Sequence, residues 1–124
     1  MVDKNLDLRN SHTFTLDLKL PSGEEFSGTF TIHRPTVKER IRIGIIEARE
    51  LEGLVNVDVF TSNLTHFVAT FDVIVDSAPV WFKPRELRDV EVLQGVFEKY
   101  TDFLRTFQGK PEGEPKEPSS GTTD

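Results

Sequence analysis

The chain contains no cysteine, so no disulfide and no thiolate chemistry enters its account, and a reducing compartment suits it. Basic residues are also short, with 15 Lys and Arg against 21 Asp and Glu and a formal charge of −6. A phosphate-binding surface needs the opposite balance, so a nucleic-acid partner is not expected. The start, Met1 to Asn10, alternates charge with isolated apolar residues and has no continuous apolar stretch. Neither a signal peptide nor a membrane span is therefore expected, and the reading is of a soluble, intracellular protein. Tyr and Trp occur once each, whereas Phe occurs 10 times. Phenyl rings bury large area without needing a hydrogen-bond partner, so they are material for a core or an interface.

Groups that carry chemistry are equally sparse. His12, His33 and His66 have no second His, Cys or carboxylate at the spacing a metal site requires. His12 and His33 read as surface residues at strand ends, and His66 as a residue on the polar side of a helix. Neither Asp58 nor Asp72 shares a helical edge with His66 well enough to form a dyad. Ser62 lies in no nucleophile elbow. The glycines are scattered and form no phosphate-binding loop. Asn63-Leu64-Thr65 matches a glycosylation acceptor, but Leu64 falls in an apolar stripe and the match reads as chance. The expectation is of no enzyme, no cofactor and no metal.

What is present is a pattern of elements. Met1 to Ser11 has no period and reads as a flexible arm. From His12, apolar Phe14, Leu16, Leu18 and Leu20 alternate with polar residues, the signature of a half-buried strand. Pro21 to Glu24 supplies turn chemistry. Phe26, Gly28, Phe30 and Ile32 then alternate in a second strand, giving a hairpin over 12–33. Pairing Leu20 with Phe26, and so Phe14 with Ile32, puts both apolar sets on one face, which demands an odd loop of three or five residues. Gly28 inside a strand predicts a bulge or the close approach of a helix.

Thr36 followed by Glu39 is a capping box, opening a helix over 37–52. Val37, Ile41, Gly44, Ile45, Ala48 and Leu51 form its apolar stripe, expected to face the core, with Gly53 as the stop. Leu54 to Val80 holds no Lys or Arg. Within it Asp58 is positioned to cap a helix over 58–75, apolar over most of its girth and expected at the centre. A strand over Phe71 to Val75 is the alternative. Asp76 to Lys83 reads as a loop carrying Trp81 and Phe82. A last helix over 85–107 begins near Pro84, or later with Asp89 as its cap, and carries Tyr100, Phe103 and Phe107. After it the composition turns to Gly, Pro, Glu, Lys, Ser and Thr, so 108–124 is expected to be a disordered acidic linker or tail. The whole is α+β: an N-terminal antiparallel hairpin, about three helices, and one domain over 12–107.

A hairpin and three helices leave much apolar surface for so small a scaffold. Unpaired strand edges and aromatic residues are features that interfaces use. Trp81, Phe82, Tyr100, Phe103 and Phe107 are accordingly the candidate partner-binding residues. The competing reading is that these rings close one core.

Several stretches resemble the small tail assembly chaperones of long-tailed, siphovirus-like bacteriophages. They are Gly28-Thr29-Phe30-Thr31-Ile32-His33-Arg34-Pro35-Thr36, the charged helix through Arg40-Ile41-Arg42-Ile43-Gly44, and the Phe- and Leu-bearing helix from Asp58. The loop Ala78-Pro79-Val80-Trp81-Phe82 and the final Tyr100-Thr101-Asp102-Phe103-Leu104-Arg105-Thr106-Phe107 complete the likeness, over about residues 12–107. The resemblance implies a non-enzymatic protein of the host bacterial cytoplasm. Such a protein coats the tape-measure protein, keeps it soluble, helps recruit tail-tube subunits, and self-associates. It further implies a longer product made by frameshifting near Gly109-Lys110. A structural virion protein, such as a tail-completion or head–tail connector protein, is the main alternative. A cellular protein-binding adaptor is another.

Overall fold

The computed structural model describes residues 8–54 and 56–108. Strand β1 runs Ser11–Lys19 and β2 runs Glu25–His33; helix α1 runs Val37–Glu50 and α2 runs Val59–Ile74. Strand β3 is Val75–Ser77, and helix α3 runs Val90–Arg105. Short 3-10 turns occupy Leu8–Asn10 and Pro84–Glu86. The α+β class and the hairpin-then-helices order are as the sequence predicts. The proposed arm lies largely outside the described residues, but Leu8–Asn10 is a 3-10 turn and the strand begins at Ser11 rather than after it. Beyond Gln108, the expected tail and Gly109-Lys110 also lie outside them.

The hairpin closes more tightly than the sequence register implies. Lys19 faces Glu25, Leu18 faces Phe26, Leu16 faces Gly28 and Phe14 faces Phe30. Leu20 N–H donates to Glu24 O at 2.9 Å and Gly23 N–H to Leu20 O at 2.8 Å. The loop is thus Pro21-Ser22-Gly23, with Gly23 at φ +99°, the left-handed position that a three-residue hairpin loop assigns to glycine. The odd loop length holds, but the pairing slips by two residues from the expected one. An even slip keeps every side chain on its face. Phe14, Leu16, Phe30 and Ile32 are therefore buried on one side. On the other, Thr13 meets Thr31 and Thr15 meets Thr29 through hydroxyl contacts of 3.0 and 3.4 Å.

A third strand adds to the hairpin, giving a sheet of order β1-β2-β3. Strand β3 pairs Ser77 with Thr31 and Val75 with Ile32, so Asp76 is the extra residue of a bulge. The β-branched end of the Phe71 to Val75 run thus divides, helix through Ile74 and strand from Val75. Further along β2, side chains of the following loop pack against the strand. Trp81 Nε1–H donates to Ser27 O at 3.0 Å, and Pro79 lies directly over Gly28. The close approach predicted at Gly28 exists, but a loop proline makes it and not a helix.

Helix α2 occupies the middle, with Val68, Ala69, Thr70, Phe71 and Ile74 buried. Asp58 sits at its N-cap position without a side-chain cap bond. The last helix is shorter than the predicted 85–107, because Pro84–Glu86 forms a separate turn and α3 starts after Asp89. Helix α3 buries Val92, Leu93, Val96, Tyr100 and Phe103. It lies on β1, where an added Cβ at Gly95 would sit 3.5 Å from a Leu16 methyl. One apolar core joins the inner sheet face to α2, α3 and Phe82.

Candidate binding surface

The sequence pattern assigns the apolar stripe of α1 to the core, and the structure reverses this. Only Ile43 of that helix is buried, with Ile46 half-buried beside it. Val37, Ile41 and Ile45 are 75 %, 61 % and 52 % exposed. The cause lies in where the acidic residues of α1 find partners. Glu39 meets His33, Glu47 meets His66 and Glu50 meets Arg85, all on the inward side of the helix. These three contacts and two isoleucines orient α1, and the wider apolar stripe turns outward.

The N-terminus of α1 is fixed by the capping box that the sequence announces. Glu39 N–H donates to Thr36 Oγ1 at 3.1 Å and Thr36 N–H to Glu39 Oε1 at 2.9 Å. Glu39 is also held by the His33 ring, whose Nε2 lies 3.1 Å from Oε2. The other ring nitrogen, Nδ1, lies 3.0 Å from both Asp76 oxygens. His33 is thus a tie between β2, α1 and the β3 bulge, not a free surface residue. An open cleft of about 650 Å³ lies beside it, lined among others by Asn10, Arg34, Thr36 and Arg40.

Burial opposes ionisation of Glu39, but the Thr36 N–H and the His33 ring outweigh it and hold the carboxyl below its ordinary 4.5. A carboxyl depressed in the folded state adds stability above its unfolded value, lost as pH falls through the folded one. The melting temperature should therefore fall more steeply below about pH 4.5 in the native chain than in Glu39→Gln. Glutamine retains the capping geometry while removing the charge. Thermal melts across the acid range read the difference directly.

Arg85 makes the second tie. Its two terminal nitrogens lie 3.0 and 2.7 Å from the two Asp72 oxygens, and Nε lies 2.9 Å from Glu50. The Asp72 hydrogen bonds, against some burial, hold its guanidinium more firmly protonated than usual. One side chain thereby joins α1, α2 and the turn at Pro84–Glu86. His66 is bonded to Glu47 across the helix pair rather than to either aspartate weighed from spacing.

The five rings expected to bind partners are packed on their own chain. Phe82, Tyr100 and Phe103 are 9 %, 4 % and 8 % exposed. The Phe82 ring meets Phe30 and Phe71 with centroids 4.9 and 5.4 Å apart. Tyr100 lies beside Phe97, and burial pushes its phenol up, partly countered by the Arg40 charge. Phe103 stacks on His12 at 5.1 Å. Half-buried Trp81 leans on Phe26, and half-buried Phe107 is covered by the Arg34 guanidinium 4.0 Å above its ring. The exposed apolar surface lies elsewhere, on α1 and at Leu54, Val59, Phe60 and Val80.

Around the α1 stripe, Lys38, Arg40, Arg42 and Arg49 are exposed, and none forms an ion pair among the described residues. Among the described residues no group of three or more His, Asp or Glu is placed to hold a metal ion. No helix among them is long and apolar enough to cross a membrane. No family model matches the chain, and no curated protein or solved structure matches it either.

Proposed function

We propose that this chain is a non-enzymatic assembly chaperone of a long-tailed bacteriophage, acting in the cytoplasm of the host. On this reading it binds the tape-measure protein, keeps that long apolar helix soluble, helps recruit tail-tube subunits, and self-associates. The observation that supports it best is the outward apolar stripe of α1, Val37, Ile41 and Ile45. Three large aliphatic side chains on one helix face form the kind of exposed patch that a soluble chain keeps for contact with another chain. The likeness in sequence to tail assembly chaperones supplies the identity of that partner.

The test is co-expression with a candidate tape-measure protein. With the native chain the tape measure should stay in the soluble fraction. With Ile41→Asp, a surface change that leaves the core intact, most of it should move to the pellet. Equal solubility with and without the chaperone would remove the reading. Stoichiometric presence of the chain in purified particles would favour a structural virion protein instead.

A further inference from the structure

We infer that the solvent face of α1 docks an amphipathic α-helix of another polypeptide whose apolar stripe is flanked by Asp and Glu. The inference rests on the protein-binding reading above and adds the chemistry of the partner and the place it sits.

Charge sorting on α1 carries the argument. All three acidic residues of the helix, Glu39, Glu47 and Glu50, are engaged inward by His33, His66 and Arg85. The outward half therefore presents Val37, Ile41 and Ile45 beside Lys38, Arg42 and Arg49, with no carboxylate of α1 among them. In a chain of net charge −6, this is a local basic and apolar face. Complementary potential favours a partner rimmed by carboxylates and repels one rimmed by Lys and Arg.

Shape selects a helix. Val37, Ile41, Gly44 and Ala48 recur at spacings of four, three and four, the seam along which two helices pack. A Cβ added at Gly44 would meet nothing within 4 Å, and Ala48 is exposed and small. Between the larger aliphatics the face is shallow, so a second helix can approach closely. Other occupants fit less well. Two copies meeting through this face would set Lys and Arg against Lys and Arg. Residues 109–124 contain no Val, Leu, Ile, Met or aromatic side chain to cover the stripe. An anionic bilayer would accept the charge, but the outward face carries no aromatic residue to anchor at a lipid interface.

The experiment uses the full chain and three synthetic helical peptides sharing one Leu/Ile stripe, flanked by Glu, by Gln or by Lys. Fluorescence anisotropy at low and physiological salt should rank them Glu, Gln, Lys, with a gap of roughly tenfold between the extremes. Added salt should narrow that gap. Lys38→Glu with Arg42→Glu and Arg49→Glu should invert the order, and Gly44→Leu should weaken all three while circular dichroism stays unchanged. The inference is overturned by an unchanged order in the charge-reversed chain, or by binding that Gly44→Leu leaves intact. It is also overturned if phosphatidylserine vesicles bind and the peptides do not, or if Ile41→Asp only dissolves a dimer. Should the charge-reversed chain still solubilise the tape measure as well as the native one, the chaperone reading stands and this inference falls. Loss of solubilisation in Ile41→Asp alone, with the peptide order confirmed, supports both.

Discussion

Phe30→Ala should cost about 3–5 kcal/mol, the largest loss expected from any single truncation in this domain. The ring is fully buried at the centre of the inner sheet face. It stacks on Phe14 at 5.2 Å and nearly parallel, and meets the edges of Phe82 at 4.9 Å and Trp81 at 6.0 Å. Those contacts join β1, β2 and the loop that packs on β2. Alanine would remove the transfer gain of the ring and leave a cavity that the stiff hairpin can close only in part. Against a typical total of about 5–15 kcal/mol, such a loss leaves little margin. For a domain of this size it corresponds to a fall in melting temperature of roughly 15–25 °C. Chemical denaturation of the variant checks it. A loss of under about 1 kcal/mol would mean the ring is not central to the core.

The second large effect runs the other way, through added volume. A Cβ on Gly28 would lie 2.2 Å from Pro79 Cγ and 2.9 Å from Pro79 Cβ. No rotamer relieves this, because the proline ring is closed and its backbone is tied by the Phe82 N–H donating to Pro79 O at 3.0 Å. Gly28→Ala must therefore push the loop off the sheet, and the loop carries Trp81 and Phe82 with it. A cost of about 1–3 kcal/mol is expected for alanine, and more for valine. Pro79→Ala removes the nearer ring atom and should recover part of the loss in the double variant, while costing little by itself. Additive losses from the two changes would show that the contact is not the cause. Loss of the Trp81 indole bond to Ser27 should also redden the tryptophan emission of Gly28→Ala.

Both expectations concern elements that the sequence describes well. The alternation of Phe14, Leu16, Phe30 and Ile32 is a local signal with a two-residue period, and it places the sheet face correctly. It does not fix the register, because pairings that differ by two residues bury the same set. The choice falls to Gly23, whose positive φ selects the tighter loop. Thr36 and Glu39 announce the start of α1 equally well, since both halves of a capping box lie within four residues.

The face of α1 was not legible. Apolar residues at spacings of three and four normally mark the buried side, and here they mark the exposed one. What overrides the pattern is a set of partners distant in sequence: His66 for Glu47, Arg85 for Glu50, and Asp76 sharing His33 with Glu39. No spacing rule sees across those intervals. The aromatic residues failed as markers of a surface for a related reason. Trp81 and Phe107 sit where chain ends and loops usually face solvent, but the chain folds back, and Ser27 and Arg34 receive them. Strand β3 overlaps the alternative strand over Phe71 to Val75 only at Val75, because it follows α2 without a turn residue to separate them.

The connection between β3 and α3 has a consequence for how rigidity would be observed. Its side chains are fastened at Gly28, Ser27, Asp72 and Glu50, yet few of its amides donate to backbone oxygens. Deuterium would thus enter this stretch readily while its rings and guanidinium stay in place. Order here resides in what the backbone carries, and solvent exchange at the peptide groups is a poor witness to it.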